Sequence, residues 1–142
     1  MSMSKVLEII AASGHGSLAT CVDGRPRVRP MAFMVRPDGT LWSSTYRSSG
    51  KVRELEACPH VEVCFVDGAA NQVRITAVVD LSGGPEEKRA LLEANPRVRK
   101  HFPDEHDARF VHLALRPTRI AWKPRGFNEY QVVPPAGAEP SP

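Results

Sequence analysis

Thr45-Tyr46-Arg47-Ser48-Ser49-Gly50-Lys51-Val52-Arg53-Glu54-Leu55 joins a strand to a helix through residues suited to holding an anion. The run Thr40-Leu41-Trp42-Ser43-Ser44-Thr45 leads into it as a strand that ends in hydroxyls. Ser48-Ser49-Gly50 turns the chain, and 51–57 reads as helix. A helix start leaves its first N–H donors without intrahelical partners and carries partial positive charge, so the N–H groups from Gly50 to Arg53 suit a phosphate. Lys51 and Arg47 add full charges. In a capping box a Glu or Gln stands three residues after the capping Ser, but Ser48 is followed by Lys51 and Ser49 by Val52. No carboxylate is therefore expected to fill the site in advance. A Ser-capped helix with a solvated lysine is the commoner structure for such a segment, and local sequence leaves both readings open. A nucleotide triphosphate loop is disfavoured, because it needs Gly where Thr45 stands and Ser or Thr where Val52 stands. What is left is a site of monophosphate size.

Outward from this junction the chain is a run of short strands, at 17–22, 27–35, 40–45, 61–66, 72–81, 109–115 and 119–122. Asp23-Gly24, Pro37-Asp38-Gly39 and Asp67-Gly68-Ala69-Ala70-Asn71 supply turns short enough for antiparallel neighbours. Helices are few. Residues 4–13 place Val6, Leu7, Ile10 and Ala11 on one face, and 85–94 opens with Pro-Glu-Glu and stops at Asn95-Pro96. The pattern predicts a mainly β fold, a small barrel whose closure removes exposed edges. Residues 1–133 read as one domain, and 134–142, built of Pro, Ala, Gly, Glu and Ser, as a disordered tail.

Composition excludes more than it selects. With 142 residues, 42% hydrophobic and 25% charged, the chain is an ordinary single globular domain. A net charge of +3 is too weak to argue for nucleic acid. Cys21, Cys58 and Cys64 are odd in number and form no C-x-x-C pair, which fits a reducing cytoplasm. The apolar run 6–12 is short and interrupted by Glu8, so neither a leader peptide nor a membrane span is expected.

Two further strands bear on a ligand. Pro30 sits in the middle of 27–35, where it cannot donate a ladder hydrogen bond, so the sheet should be open there and Arg29 free to reach a phosphate held by Lys51. An ordinary edge strand with a solvated Arg fits equally well. In 72–80 the residues Val73, Ile75, Ala77 and Val79 share one face, and Gln72 starts the strand with an amide able to bond a heteroaromatic edge, although an ordinary surface Gln is the commoner case. His101, Asp104, Glu105, His106 and Asp107 suggest a metal cluster, yet Pro103 breaks the spacing and no H-E-x-x-H occurs, so no metal is assigned. Neither G-x-S-x-G nor a Cys and His arrangement supports a covalent nucleophile.

Taken together, Arg29-Pro30-Met31, Ser44-Thr45, Ser49-Gly50-Lys51-Val52-Arg53-Glu54-Leu55 and Gln72 resemble, in order and spacing over roughly 18–122, the FMN-binding split barrels related to pyridoxamine 5'-phosphate oxidase. The smaller general-stress-protein and nitroimidazole-reductase-like members are the nearest in kind. The resemblance implies a six-stranded antiparallel split barrel with a few short peripheral helices, forming a homodimer with FMN at the subunit interface. It implies that Arg29 and Lys51 bind the phosphate, helped by Ser44, Thr45, Ser49 and the Gly50 amide. The backbone of Pro30, Met31 and Ala32 would flank the ring, Gln72 would bond its polar edge, and Trp122 would approach from the partner. The oxidase's C-terminal Arg-x-His segment has no counterpart, since no His follows His112. Pyridoxamine phosphate oxidation and haem degradation are therefore not carried over. The expectation is an FMN-dependent oxidoreductase acting on a small molecule, with a non-catalytic flavin sensor or store, or a deazaflavin-dependent reductase, as alternatives. A nucleic-acid reading of Arg25, Arg27, Arg29, Arg47, Lys51 and Arg53 lacks an aromatic stacking motif.

Overall fold

The computed structural model describes residues 2–135. Its strands are β1 (Gly16–Val22), β2 (Arg25–Met31), β3 (Met34–Val35), β4 (Leu41–Tyr46), β5 (His60–Val66), β6 (Gln72–Asp80), β7 (Phe110–Lys123) and β8 (Gln131–Val133). The helices are α1 (Ser2–Ser13), α2 (Gly50–Ala57) and α3 (Pro85–Ala94), the last followed by a 3-10 helix, Pro96–Lys100. All pairings are antiparallel, in the order β2-β1-β5-β6-β7-β4-β3, with β8 added on β7. β2 and β3 therefore stand at opposite ends of the sheet while only Ala32 and Phe33 separate them in sequence. That short crossing curls the sheet into a split barrel, in agreement with the expected fold class, although eight strands replace the six expected.

The crossing also corrects the single strand expected over 27–35. After Met31 the chain leaves β1 for β4, and the buried Ser43 hydroxyl donates to the Ala32 carbonyl at 2.8 Å. Pro30 lies on the edge strand as its missing N–H requires, opposite Ser17. A second correction concerns 109–115 and 119–122, which are one 14-residue strand. Pro117 sits opposite Ala77 where the register between β6 and β7 shifts, with Thr118 as the extra residue on β7, and a bulge is where a sheet tolerates a residue without an N–H.

Alternation fills the barrel. Val73, Ile75, Ala77 and Val79 are buried as their spacing predicts, and they meet Leu18, Val63, Phe65, Leu113 and Leu115 in the main core. α1 packs on the core through Val6, Ile9 and Ile10, while Leu7 and Ala11, expected on that face, are exposed. A smaller cluster of Leu91, Leu92, Phe102 and Phe110 holds α3 against Met34 and Trp42. Ser43→Ala is expected to lower stability by about 1 kcal/mol in urea unfolding, the usual worth of one such hydrogen bond. Leu113→Ala, which empties a core position, should cost about 2 to 5 kcal/mol. A Ser43→Ala loss as large as that of Leu113→Ala would mean the crossing does more than one bond's work.

Candidate functional site

β4 delivers Ser43, Ser44 and Thr45 to the start of α2, and Val52 and Leu55 anchor that helix on the core. Ser49 is the helix cap, its side chain accepting the Lys51 N–H at 3.3 Å. The Lys51 side chain turns back, and its Nζ donates to Thr45 Oγ1 at 3.0 Å, so the ammonium lies over the end of β4. Burial, and then the charge of Arg29, push its pKa below the ordinary 10.5, with Glu54 acting the other way. Two cations are thus held close enough to repel, an arrangement that an anion would relieve.

Arg29 reaches in from the edge strand. One of its terminal nitrogens donates to Thr20 Oγ1 at 2.8 Å and to the Leu18 carbonyl at 3.3 Å, and the other donates to Glu54 Oε2 at 2.5 Å. Thr20 Oγ1 donates to the same carboxylate oxygen at 2.8 Å, and Arg27 Nε stands 3.2 Å from Oε1. Here the sequence reading needs correction. A carboxylate does enter the site, because Glu54 lies one helical turn after Gly50 on the face toward β1 and β2, a position no capping rule addresses. Three cations, Arg27, Arg29 and Lys51, against Glu54 leave a local charge of +2, which suits the −1.5 to −2 of a phosphate monoester near neutral pH.

Beside this cluster runs a groove of about 220 Å³. The crossing from Met31 to Met34 forms one wall, with Trp42, Ser43, Ser44 and Lys51 as its floor. Leu91, Asn95 and Val98, from α3 and the turn after it, close the far side. That far wall was not anticipated, since Asn95 had been read only as a helix stop. Of the sequence-predicted residues, Met31, Ala32, Ser44 and Lys51 line the groove, and Arg29, Pro30, Thr45, Ser49 and Gly50 belong to the segments that build it. Gln72 and Trp122 are not brought to it. Trp122 stands eight residues along β7 from Ala114, the register partner of Trp42, and Gln72 lies beside it opposite Lys123. Gln72 Oε1 accepts from the Tyr130 hydroxyl at 2.8 Å, and the buried Trp122 Nε1 has no partner among the described residues. The acidic segment after His101 is committed locally. His101 Nδ1 is 2.9 Å from the Tyr46 hydroxyl, Glu105 pairs with Arg89 at 3.0 Å and Asp107 with Arg109 at 2.7 Å. No His, Cys, Asp and Glu grouping suited to a metal occurs among the described residues.

An antiparallel split barrel with a basic strand-to-helix junction beside its seam defines a recognisable class. The chain belongs to the pyridoxamine 5'-phosphate oxidase family, which matches residues 3–121. It is similar to a NimC/NimA family protein from Clostridium acetobutylicum, with 24% identity, 92% of this chain and 90% of that one covered, and a TM-score of 0.77. General Stress Protein 26 from Bacillus anthracis str. Sterne is 20% identical over 94% of this chain and 100% of its own, with a TM-score of 0.75. An F420 reductase is 20% identical over 80% of this chain and 93% of its own, with a TM-score of 0.61. At these identities the shared feature is the fold. No curated protein gives a significant match. Among the described residues no helix is long and apolar enough to cross a membrane, and the three cysteines are free.

Two groups in and near the core bear on the response to acid. Burial raises the Glu54 pKa, but the Thr20 hydroxyl and the Arg29 and Arg27 guanidiniums outweigh it and hold the carboxyl below its ordinary 4.5. Its contribution is present above that value and is lost as pH falls through the folded pKa. His112, 2% exposed on β7, is pushed by burial from 6.5 to about 4. Here the unfolded chain binds the proton first, so stability should already fall between pH 6.5 and 4. Urea midpoints across pH should show two successive losses in wild type, and His112→Phe should remove the upper one. An unchanged midpoint from pH 7 to 4 would contradict the burial of a neutral imidazole.

Proposed function

We propose that this chain is an FMN-binding oxidoreductase that works as a homodimer, passing hydride or electrons to a small molecule. The observation that carries the reading is Lys51, held by Thr45 and coupled to Arg29, at the end of a groove walled by the Met31 to Met34 backbone. Lys51, Arg29 and the amides after Ser49 would hold the phosphate, assisted by Ser44 and Thr45. The backbone of Pro30, Met31 and Ala32 would carry the ring. Bound flavin supplies reversible hydride and single-electron transfer, so the protein's task is to bind, orient and exclude water. Met31, Phe33, Met34 and Trp42 give the groove the apolar walls that exclusion needs.

One chain does not enclose such a ligand. The groove's 220 Å³ falls below the roughly 300 to 1,000 Å³ usual for ligand clefts. A second copy placing Gln72 and Trp122 against the ring would complete the enclosure and account for their distance from the groove in their own chain. The similarity to an F420 reductase supports a deazaflavin as the second cofactor reading.

Apoprotein is expected to prefer FMN over riboflavin, which has the same ring and no phosphate. Loss of two charge-assisted hydrogen bonds, each worth about 1.5 to 3 kcal/mol, corresponds to about a hundredfold or more in affinity. Lys51→Ala should erase much of the preference and spare riboflavin, as flavin fluorescence quenching would show. Equal affinity for the two flavins would refute the phosphate cradle, and tight binding of F420 without FMN would select the deazaflavin reading. Turnover of NADH or NADPH with quinones or nitroaromatics separates an enzyme from a flavin store.

The dimer has its own test. Light scattering of flavin-loaded protein should give twice the chain mass, whereas a fully loaded monomer would overturn the interface site.

A further inference from the structure

The far wall of the groove takes no part in holding the phosphate. Leu91, Asn95 and Val98 form it, with Met34 and Trp42 beside them. Residues 86–100 are rich in charge, yet none of their charged side chains lines the groove, and Glu93, Arg97 and Arg99, which flank Asn95 in sequence, are exposed. Among the described residues Lys51 is the one charged lining group, and the flavin reading assigns it to the phosphate. An anion seated against the far wall would lose its water and find no cation there.

Asn95 is the polar exception on that wall. Its N–H donates to the Leu91 carbonyl at 2.8 Å and its carbonyl accepts from the Val98 N–H at 3.1 Å, so both main-chain groups are engaged. An Asn that opens a helical turn ordinarily bonds the backbone with its side chain. Asn95 opens the 3-10 helix 96–100 and makes no such bond. Its side-chain amide is unpartnered among the described residues, and the residue is half-buried. The amide is also reachable, because the unpartnered side-chain atoms sealed from solvent are those of His112 and Trp122 and not of Asn95. One free amide among apolar side chains gives the wall a single directed hydrogen bond and no charge.

We infer that Asn95 selects the small molecule on which the flavin acts, an uncharged compound with an apolar body and a carbonyl- or nitro-type oxygen that accepts from the Asn95 amide. Carboxylates and phosphate esters are rejected, since this wall offers them no cation. The inference rests on the flavin reading, in which Lys51 and Ser44 are occupied by the cofactor's phosphate.

FMN-loaded protein should be titrated at pH 7 with acetophenone, with benzoate as its anionic counterpart and toluene as the ring without oxygen. The readout is the side-chain 15N resonance of Asn95, assigned by its loss in Asn95→Leu. Acetophenone should shift it saturably, benzoate should bind at least about tenfold more weakly, and toluene about two- to tenfold more weakly. Followed by the flavin absorbance, Asn95→Leu should bind acetophenone no better than toluene, with toluene and FMN affinities unchanged. Benzoate binding as tightly as acetophenone would overturn the inference. So would a loss of FMN affinity in Asn95→Leu, which would give the amide to the cofactor. A chain that takes up no FMN fails the flavin reading on its own, and acetophenone should still shift the Asn95 resonance of that apoprotein. No shift there would overturn the role of the wall as well. The ranking of the three ligands is read on wild-type protein, so it does not depend on a variant folding.

Discussion

The crossing of Ala32 and Phe33 from one end of the sheet to the other is the constraint on which this structure depends. Two residues link strands that lie at opposite edges of the sheet path, so the sheet has to curl until those edges meet. Ser43 fastens the crossing from the β4 side by its bond to the Ala32 carbonyl. The same crossing makes the wall of the groove, because backbone that has left one strand pair and not yet joined the next can stand at a cavity edge. Closing the barrel and opening the site are thus one structural event.

The electrostatics follow from that geometry. Seating α2 beside the seam brings Glu54 to the guanidiniums of Arg27 and Arg29 and brings Lys51 over the end of β4. Glu54 holds the two guanidiniums in place, which limits their side-chain freedom. It also tempers the repulsion among three cations while leaving two charges uncompensated. Burial first, and then the charge of Arg29, lowers the pKa of Lys51.

Much of this was legible in the sequence, and the exceptions share a cause. Periodicity found every buried residue of β6, Pro30 marked the edge strand, and Ser48-Ser49-Gly50 marked the start of α2. What failed was information carried between elements. Strand 110–123 was read as two because its bulge shows only in the pairing with β6, and no carboxylate was expected in the site because the partners of Glu54 are on β1 and β2. Leu91, Asn95 and Val98 gave no sign of a site, since helix α3 reaches the groove only through its packing on Phe102 and Phe110. Trp122 entered through family resemblance and Gln72 through its amide at the start of a strand, and one chain by itself leaves both apart from the groove.

The phosphorus resonance of bound FMN tests the central claim most directly, because it reports the charge state of the group the cradle is said to hold. Free phosphate monoesters take up their second proton near pH 6. If Lys51 and Arg29 hold the dianion, a 31P titration of the complex should show that pKa moved clearly downward, and Lys51→Ala should move it back toward the free value. A bound phosphate that titrates as it does in free FMN would contradict the account.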